Sequence, residues 1–109
     1  MRDLQAEAAP VWSRTQGYYG KQPWLWCMLH SFGGRPGMYG DMPTISTAVA
    51  RARQAGAGMR GVGLTMEGIE TNPVMYEMMM DNVWEVRPLD LDAWLPRYVC
   101  CRARPSPAK

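Results

Sequence analysis

Residues 61 to 72 read Gly-Val-Gly-Leu-Thr-Met-Glu-Gly-Ile-Glu-Thr-Asn, a short apolar run that stops on an acid, Glu67. The run Val62 to Met66 has the length of a buried strand, and Gly61, Gly63 and Gly68 punctuate it. Asn72 followed by Pro73 reads as a helix N-cap with proline at the first helical position, which opens a helix through Val74, Tyr76 and Met78 to about Val83. Glu67 therefore falls on a strand-to-helix corner. In folds with parallel strands that corner is the functional face, because the C-terminal ends of the strands point there and loops close above them. Gly68 is expected to let the backbone turn sharply after the acid.

Upstream, Trp24 to His30 (Trp-Leu-Trp-Cys-Met-Leu-His) is apolar up to its last residue and is followed by Ser31-Phe32-Gly33-Gly34. Continuous apolarity predicts a strand covered on both faces, as in a parallel sheet under helices. Between the two strands, Pro43 to Ala55 has helical spacing, with Ile45, Ala48, Val49 and Ala52 on one face, Arg51 and Arg53 toward solvent, and Gly56 as the stop. Strand, helix and strand in this order make a βαβ unit with parallel strands, so His30 and Glu67 belong on one edge of one sheet. Asp3-Leu4 fits the tail of a further strand. Near the other end, Asp90 or Asp92 is placed to cap a last helix with Leu91, Trp94, Leu95, Tyr98 and Val99, inside which Pro96 is a potential kink. From Cys100 to Lys109 the pattern fails and the stretch is basic and proline-rich, the composition of a disordered tail.

The whole is α/β, and 109 residues fall far short of the roughly 250 of a complete (β/α)8 barrel, so the reading is a barrel fragment. Residues 1–87 read as a partial TIM-like barrel domain, 88–99 as the start of a helical domain and 100–109 as the tail. A formal net charge of +2, with ten scattered arginines, does not suit a nucleic-acid or membrane-surface binder. No run approaches the roughly 20 apolar residues of a membrane span, and the first residues carry no export signal. Three cysteines, two of them adjacent, give no disulfide framework and no metal spacing, and Cys27 reads as a buried free thiol. No metal or cofactor is expected.

The two strand ends bring His30 and Glu67 together with Trp24, Trp26 and Tyr39 nearby. A carboxylate among aromatic rings suits carbohydrate chemistry, in which rings pack on the apolar faces of a sugar and the carboxylate attacks or stabilises an oxocarbenium-like centre. That chemistry takes two carboxylates, about 5 to 5.5 Å apart in retaining enzymes and about 6.5 to 9.5 Å in inverting ones. Within the chain the available second acids are Glu70 and Asp41, neither well placed. Trp24 and Trp26 suit a sugar platform or the core, and Tyr39, in a loop on the same side, suits a pocket wall. His30 suits donation to a substrate hydroxyl, to a pocket carboxylate, or a structural hydrogen bond.

The segment from Gln22 to Gly34, then Gly40, then Gly61 to Tyr76 resembles the alpha-N-acetylglucosaminidases of the lysosomal type, glycoside hydrolase family 89. The motifs Trp-Cys-Met-Leu-His and Met-Glu-Gly-Ile-Glu carry the resemblance, which extends over about residues 1–99. It implies a retaining hydrolase that removes terminal alpha-linked N-acetylglucosamine from heparan sulfate-type glycans, and a lysosomal or secreted location for a full-length protein. It also implies that Glu67 is the nucleophile, with the acid/base glutamate on an earlier strand that this chain lacks. Ser31 stands where the family usually has Asn, and Cys100 to Lys109 departs from the family's continuation. The expected partner is an N-acetylglucosaminide glycan when the chain is part of a complete enzyme. Taken alone, the chain reads as inactive, with open sheet edges that favour self-association or a purely non-catalytic role.

Overall fold

A computed structural model describes residues 1–19, 22–30, 37, 39–56 and 58–103. Its centre is a three-stranded parallel sheet of β1 (Arg2–Asp3), β2 (Trp24–Met28) and β3 (Met59–Leu64), in the order β1-β2-β3. Two short helices, α1 (Val11–Arg14) and α2 (Gln16–Tyr19), connect β1 to β2, and α3 (Met42–Gln54) connects β2 to β3. Two further helices, α4 (Pro73–Trp84) and α5 (Leu91–Arg102), follow β3. The expected strand-helix-strand unit is present, extended by β1 where only a strand tail was expected. The stretch before Pro23, which carries no periodic signal, holds α1 and α2; Asp3 organises it, accepting the N–H groups of Val11 and Trp12 on Oδ2 at 2.9 and 2.8 Å.

Register decides which side chains are covered. Trp26 lies opposite Asp3 and Val62, and Met28 opposite Leu64, and residues paired across a sheet share a face. That face packs on Ile45, Val49 and Ala52 of α3, on Met75, Met78 and Met79 of α4 and on Trp94 of α5. The other face carries Leu25, Cys27, Gly61 and Gly63, whose small residues keep it shallow. A Cβ at Gly63 would stand 2.9 Å from Cys27 Sγ. Cys27 is a buried free thiol, and burial pushes its pKa up.

Helix ends follow the sequence signals with two departures. Asp41 caps α3 and Asp90 caps α5, the latter accepting from the N–H groups of Asp92 and Ala93 at 3.0 and 3.4 Å. Asn72 occupies the N-cap position of α4 with Pro73 behind it, but its side chain makes no capping bond; its carbonyl accepts from Met75 N–H at 3.1 Å. Arg53 does not point to solvent as its helical position suggested. Its guanidinium crosses to the C-terminus of α4 and donates to the carbonyls of Val83 (3.0 Å) and Glu85, where the helix leaves carbonyls unpaired.

The disordered tail does not begin at Cys100. Helix α5 runs through Cys100 and Cys101 to Arg102, whose guanidinium pairs with Glu77 of α4 and lies over the Tyr98 ring, 5.5 Å from its centroid. Trp94 adds an Nε1–H bond to Asp81 at 2.7 Å. The Arg102–Glu77 pair ties the last turn of α5 to α4, the Arg102–Tyr98 contact lies within α5 itself, and Trp94 ties the first turn of α5 to α4. The remainder of the expected tail, 104–109, lies outside the described residues, as do Ser31 to Pro36 of the glycine-rich loop.

Candidate active site

All three strands are parallel, so their C-terminal ends open on one side. β1 leads into a turn that carries Glu7, β2 leads to His30, and β3 leads to Glu67. The last bonds of the β2–β3 ladder run from Thr65, whose N–H and Oγ1–H both donate to the Met28 carbonyl at 3.0 and 3.1 Å. Two residues beyond those bonds, on either strand, stand His30 and Glu67. The expected juxtaposition on one sheet edge is therefore present.

The two side chains differ. His30 is 4% exposed, and its Nε2 lies 2.6 Å from Glu7 Oε2. The other Glu7 oxygen accepts from Asp41 N–H at 2.7 Å. The His30 ring meets the Tyr76 ring edge-on, 5.8 Å between centroids. Burial, then the charge of Glu7, pushes the Tyr76 phenol up, and its hydroxyl is buried with no hydrogen-bond partner among the described residues. Glu67, by contrast, is exposed on the loop after β3 and has no hydrogen bond or ion pair among the described residues. Gly68 beside it is absent from the glycines with positive φ, so the sharp turn expected there is not made in that way.

A cavity of about 540 Å³ opens beside the ends of β1 and β2, lined by Gln5, Glu7, Leu29, His30, Tyr39 and Asp41 among others, with Glu67 outside the lining. That volume is in the range of small-ligand sites, about 300 to 1,000 Å³. Tyr39 is 44% exposed on its wall. Gly40 next to it has φ +139°, and a Cβ there would lie 2.5 Å from Met75 side-chain atoms, so the loop packs on α4 at a point only glycine fits.

Trp24 and Trp26 do not join this cavity. They are 1% and 0% exposed, on the face covered by α3 and α4, and Trp24 stacks on Trp12 at 5.6 Å between centroids. The reason is register: both rings alternate onto the helix side of β2, which leaves Leu25 and Cys27 on the other. Asp41, considered above as a second acid, is engaged otherwise. Its Oδ1 accepts from Thr44 N–H at 3.0 Å and its Oδ2 from Thr44 Oγ1–H at 2.7 Å. The Thr44 hydroxyl, then its N–H, hold the Asp41 carboxyl below its ordinary value. Glu7 is the group the sequence reading missed: it sits in an aperiodic stretch, and its two partners are 23 and 34 residues away. Among the described residues no cluster of three or more His, Cys, Asp or Glu is arranged to hold a metal ion, and no helix is long and apolar enough to cross a membrane.

Parallel strands alternating with helices, with acids and a histidine gathered at the C-terminal strand ends, have the architecture of a segment of a β/α barrel. The profile of the alpha-N-acetylglucosaminidase (NAGLU) TIM-barrel domain matches residues 1–86, and the chain belongs to that family. Human alpha-N-acetylglucosaminidase is 39% identical over 102 residues, which are 92% of this chain and 14% of the human protein. Among solved structures, the family 89 glycoside hydrolase from Clostridium perfringens with 2-acetamido-1,2-dideoxynojirimycin superposes with a TM-score of 0.78 at 36% identity. It covers 90% of this chain, which spans 11% of that one. The same enzyme with two glutamates changed to glutamine, in complex with its substrate GlcNAc-alpha-1,4-galactose, gives the same TM-score at 35% identity and the same coverage. The chain thus spans only about a seventh or less of the relatives it matches.

Proposed function

We propose that this chain carries the nucleophile side of a retaining glycosidase that removes terminal alpha-linked N-acetylglucosamine, with Glu67 as the attacking carboxylate. The observation that supports the reading is the placement of Glu67: an exposed carboxylate with no internal partner among the described residues, just past the C-terminal end of a parallel strand, on the sheet edge that also bears His30, though outside the lining of the cavity beside His30. A nucleophile must be open to substrate, which suits the exposed Glu67 better than Glu7, whose two oxygens are engaged by His30 and Asp41. Tyr39 and His30 then serve as pocket wall and hydroxyl partner, and residues 88–99 as the entry to a helical domain.

The acid/base is assigned to a glutamate outside this chain. In the Clostridium enzyme the two glutamates replaced for the substrate complex are farther apart in sequence than this chain is long. A chain of 109 residues therefore holds at most one counterpart of such a pair. The test has two arms. The native product is sized by sequencing transcripts across both ends of the reading frame and by mass, and it is assayed on a 4-nitrophenyl alpha-N-acetylglucosaminide. A longer product that hydrolyses the substrate should lose about 10⁴-fold or more of its kcat on Glu67→Gln, with its Tm unchanged. A Glu67→Gln enzyme that keeps wild-type turnover would sink the assignment.

A second reading, association without catalysis, has its own support. β3 is a sheet edge, and Ile69, Trp84 and Val86 are 93%, 82% and 72% exposed. Sedimentation of the purified chain decides it: a monomer across the micromolar range removes this reading.

A further inference from the structure

Glu7 belongs to none of the motifs that brought the family to light, yet it bonds to two other residues of the cavity wall, His30 and Asp41. Its side chain is 10% exposed, and both of its oxygens are committed: Oε2 to His30 Nε2 at 2.6 Å and Oε1 to Asp41 N–H at 2.7 Å. A carboxylate so nearly withdrawn from water persists only where its lone pairs are taken up by donors. Both donors here line the cavity.

The first bond acts on the ring. A carboxylate accepting from Nε2–H selects the protonated state of that nitrogen and the orientation of the imidazole, as an orienting partner does for a ligand-binding histidine. It leaves Nδ1 as the nitrogen without a partner among the described residues. The second bond acts on the loop. Asp41 is held at its N–H by Glu7 and at its carboxylate by Thr44, which fixes the residue that follows Tyr39 and Gly40. One carboxylate thereby joins the turn after β1 to the loop after β2 and to the start of α3, while the His30 ring leans on Tyr76 of the helix that follows the Glu67 loop.

From this geometry we infer that Glu7 is the positioning residue of the pocket: it holds the His30 imidazole in its Nε2–H form and pins the Tyr39–Asp41 wall, so that an N-acetylhexosamine meets a preformed site. Glu7 acts in this role through His30 and Asp41. The inference rests on the reading of this cavity as a sugar site. A purely structural Glu7 would, when removed, lower stability without altering the ring's protonation or the affinity of the molecules that remain folded.

His30 is the only histidine in the chain, so 15N NMR of histidine-labelled protein reports one imidazole. The wild type should show a proton on Nε2 that is protected from exchange. In Glu7→Gln that protection should be lost, and Nε2 should no longer be uniformly protonated. Titration with 2-acetamido-1,2-dideoxynojirimycin should shift the His30 and Tyr39 signals of the wild type, and Glu7→Gln should weaken that binding about tenfold at temperatures where both proteins are folded. Glu7→Asp, which keeps the charge with one methylene fewer, should recover part of both effects and stands in if Glu7→Gln does not fold. An unchanged imidazole pattern, or unchanged affinity, in the Gln variant overturns the proposal. A locked wild-type imidazole with no sugar-induced shift at millimolar ligand overturns the sugar reading, and the ligand half of this proposal with it; the intact lock tells that failure from the first.

Discussion

The ends of β2 and β3 are neighbours in the same sheet, and they are built in opposite ways. β2 ends in a histidine that is 4% exposed, bonded to a carboxylate from another loop and leaned against a tyrosine from a third. β3 ends in a carboxylate that is exposed and unattached among the described residues. Topology puts both side chains at the functional edge but does not distinguish them. The difference lies in the partners each finds. A tied side chain shapes a pocket, and its energy is spent in holding it; an untied one keeps its reactivity for a ligand.

The comparison is broken most severely from below. The Trp26 ring, opposite Val62 of β3, is fully buried in the core that the two strands share with the helices. Trp26→Ala should cost about 3 to 5 kcal/mol and, in a domain this small, unfold both ends together in a thermal or urea melt. A melt that keeps its midpoint would mean that the ring is not the support the packing indicates. Next in size, Glu7→Ala should cost about 2 kcal/mol, because it leaves a buried imidazole nitrogen and the Asp41 N–H without an acceptor. Glu67→Ala should stay within about 0.5 kcal/mol, as for any exposed side chain without partners. Equal effects from the two substitutions would erase the contrast between tied and free strand ends.

Gly40→Ala sharpens the contrast from the loop side. The new methyl would meet both a positive φ and the Met75 side chain, so a loss of about 1 to 2 kcal/mol is expected, read in the same melt. The loop after β3 contains no equivalent position, since Gly68 lacks the positive φ that would make it one.

What the sequence disclosed follows the range of the forces involved. Strand, helix and strand were legible because apolar runs and 3.6-residue spacing are local, and so were Asp90 and the Asn72-Pro73 boundary, which are signals within one turn. The motif around Glu67 was legible through its resemblance to a family. Glu7 was not, because its meaning comes from residues 23 and 34 positions away. Trp24 and Trp26 were ambiguous for a different reason. Alternation says that two residues share a face but not which face the helices cover, and a continuously apolar strand gives no hint. Cys100 to Arg102 were misjudged because the basic, proline-rich composition that follows was read back into a helix whose last turn also meets Glu77 of α4, a contact that no local pattern shows.

A smaller loss than those at Glu7 and Gly40 tests how the tied end is held at its far side. Asp41 caps α3 through Thr44 and also lends its N–H to Glu7, so its carboxylate supports the pocket loop without facing the ligand. Asp41→Ala should cost about 1 kcal/mol, the usual value of an N-cap. Because the folded pKa of Asp41 lies below its unfolded value, near 3.9, the stabilisation is complete above the unfolded pKa and disappears as pH falls through the lowered folded one. Urea melts of wild type and Asp41→Asn at pH 7 and in the acid range separate the two contributions. The wild type should lose its advantage only at acid pH, and the Asn variant, which caps without a charge, should show no such step. An advantage that persisted unchanged into strong acid would show that the difference between the two caps does not come from the charge on Asp41.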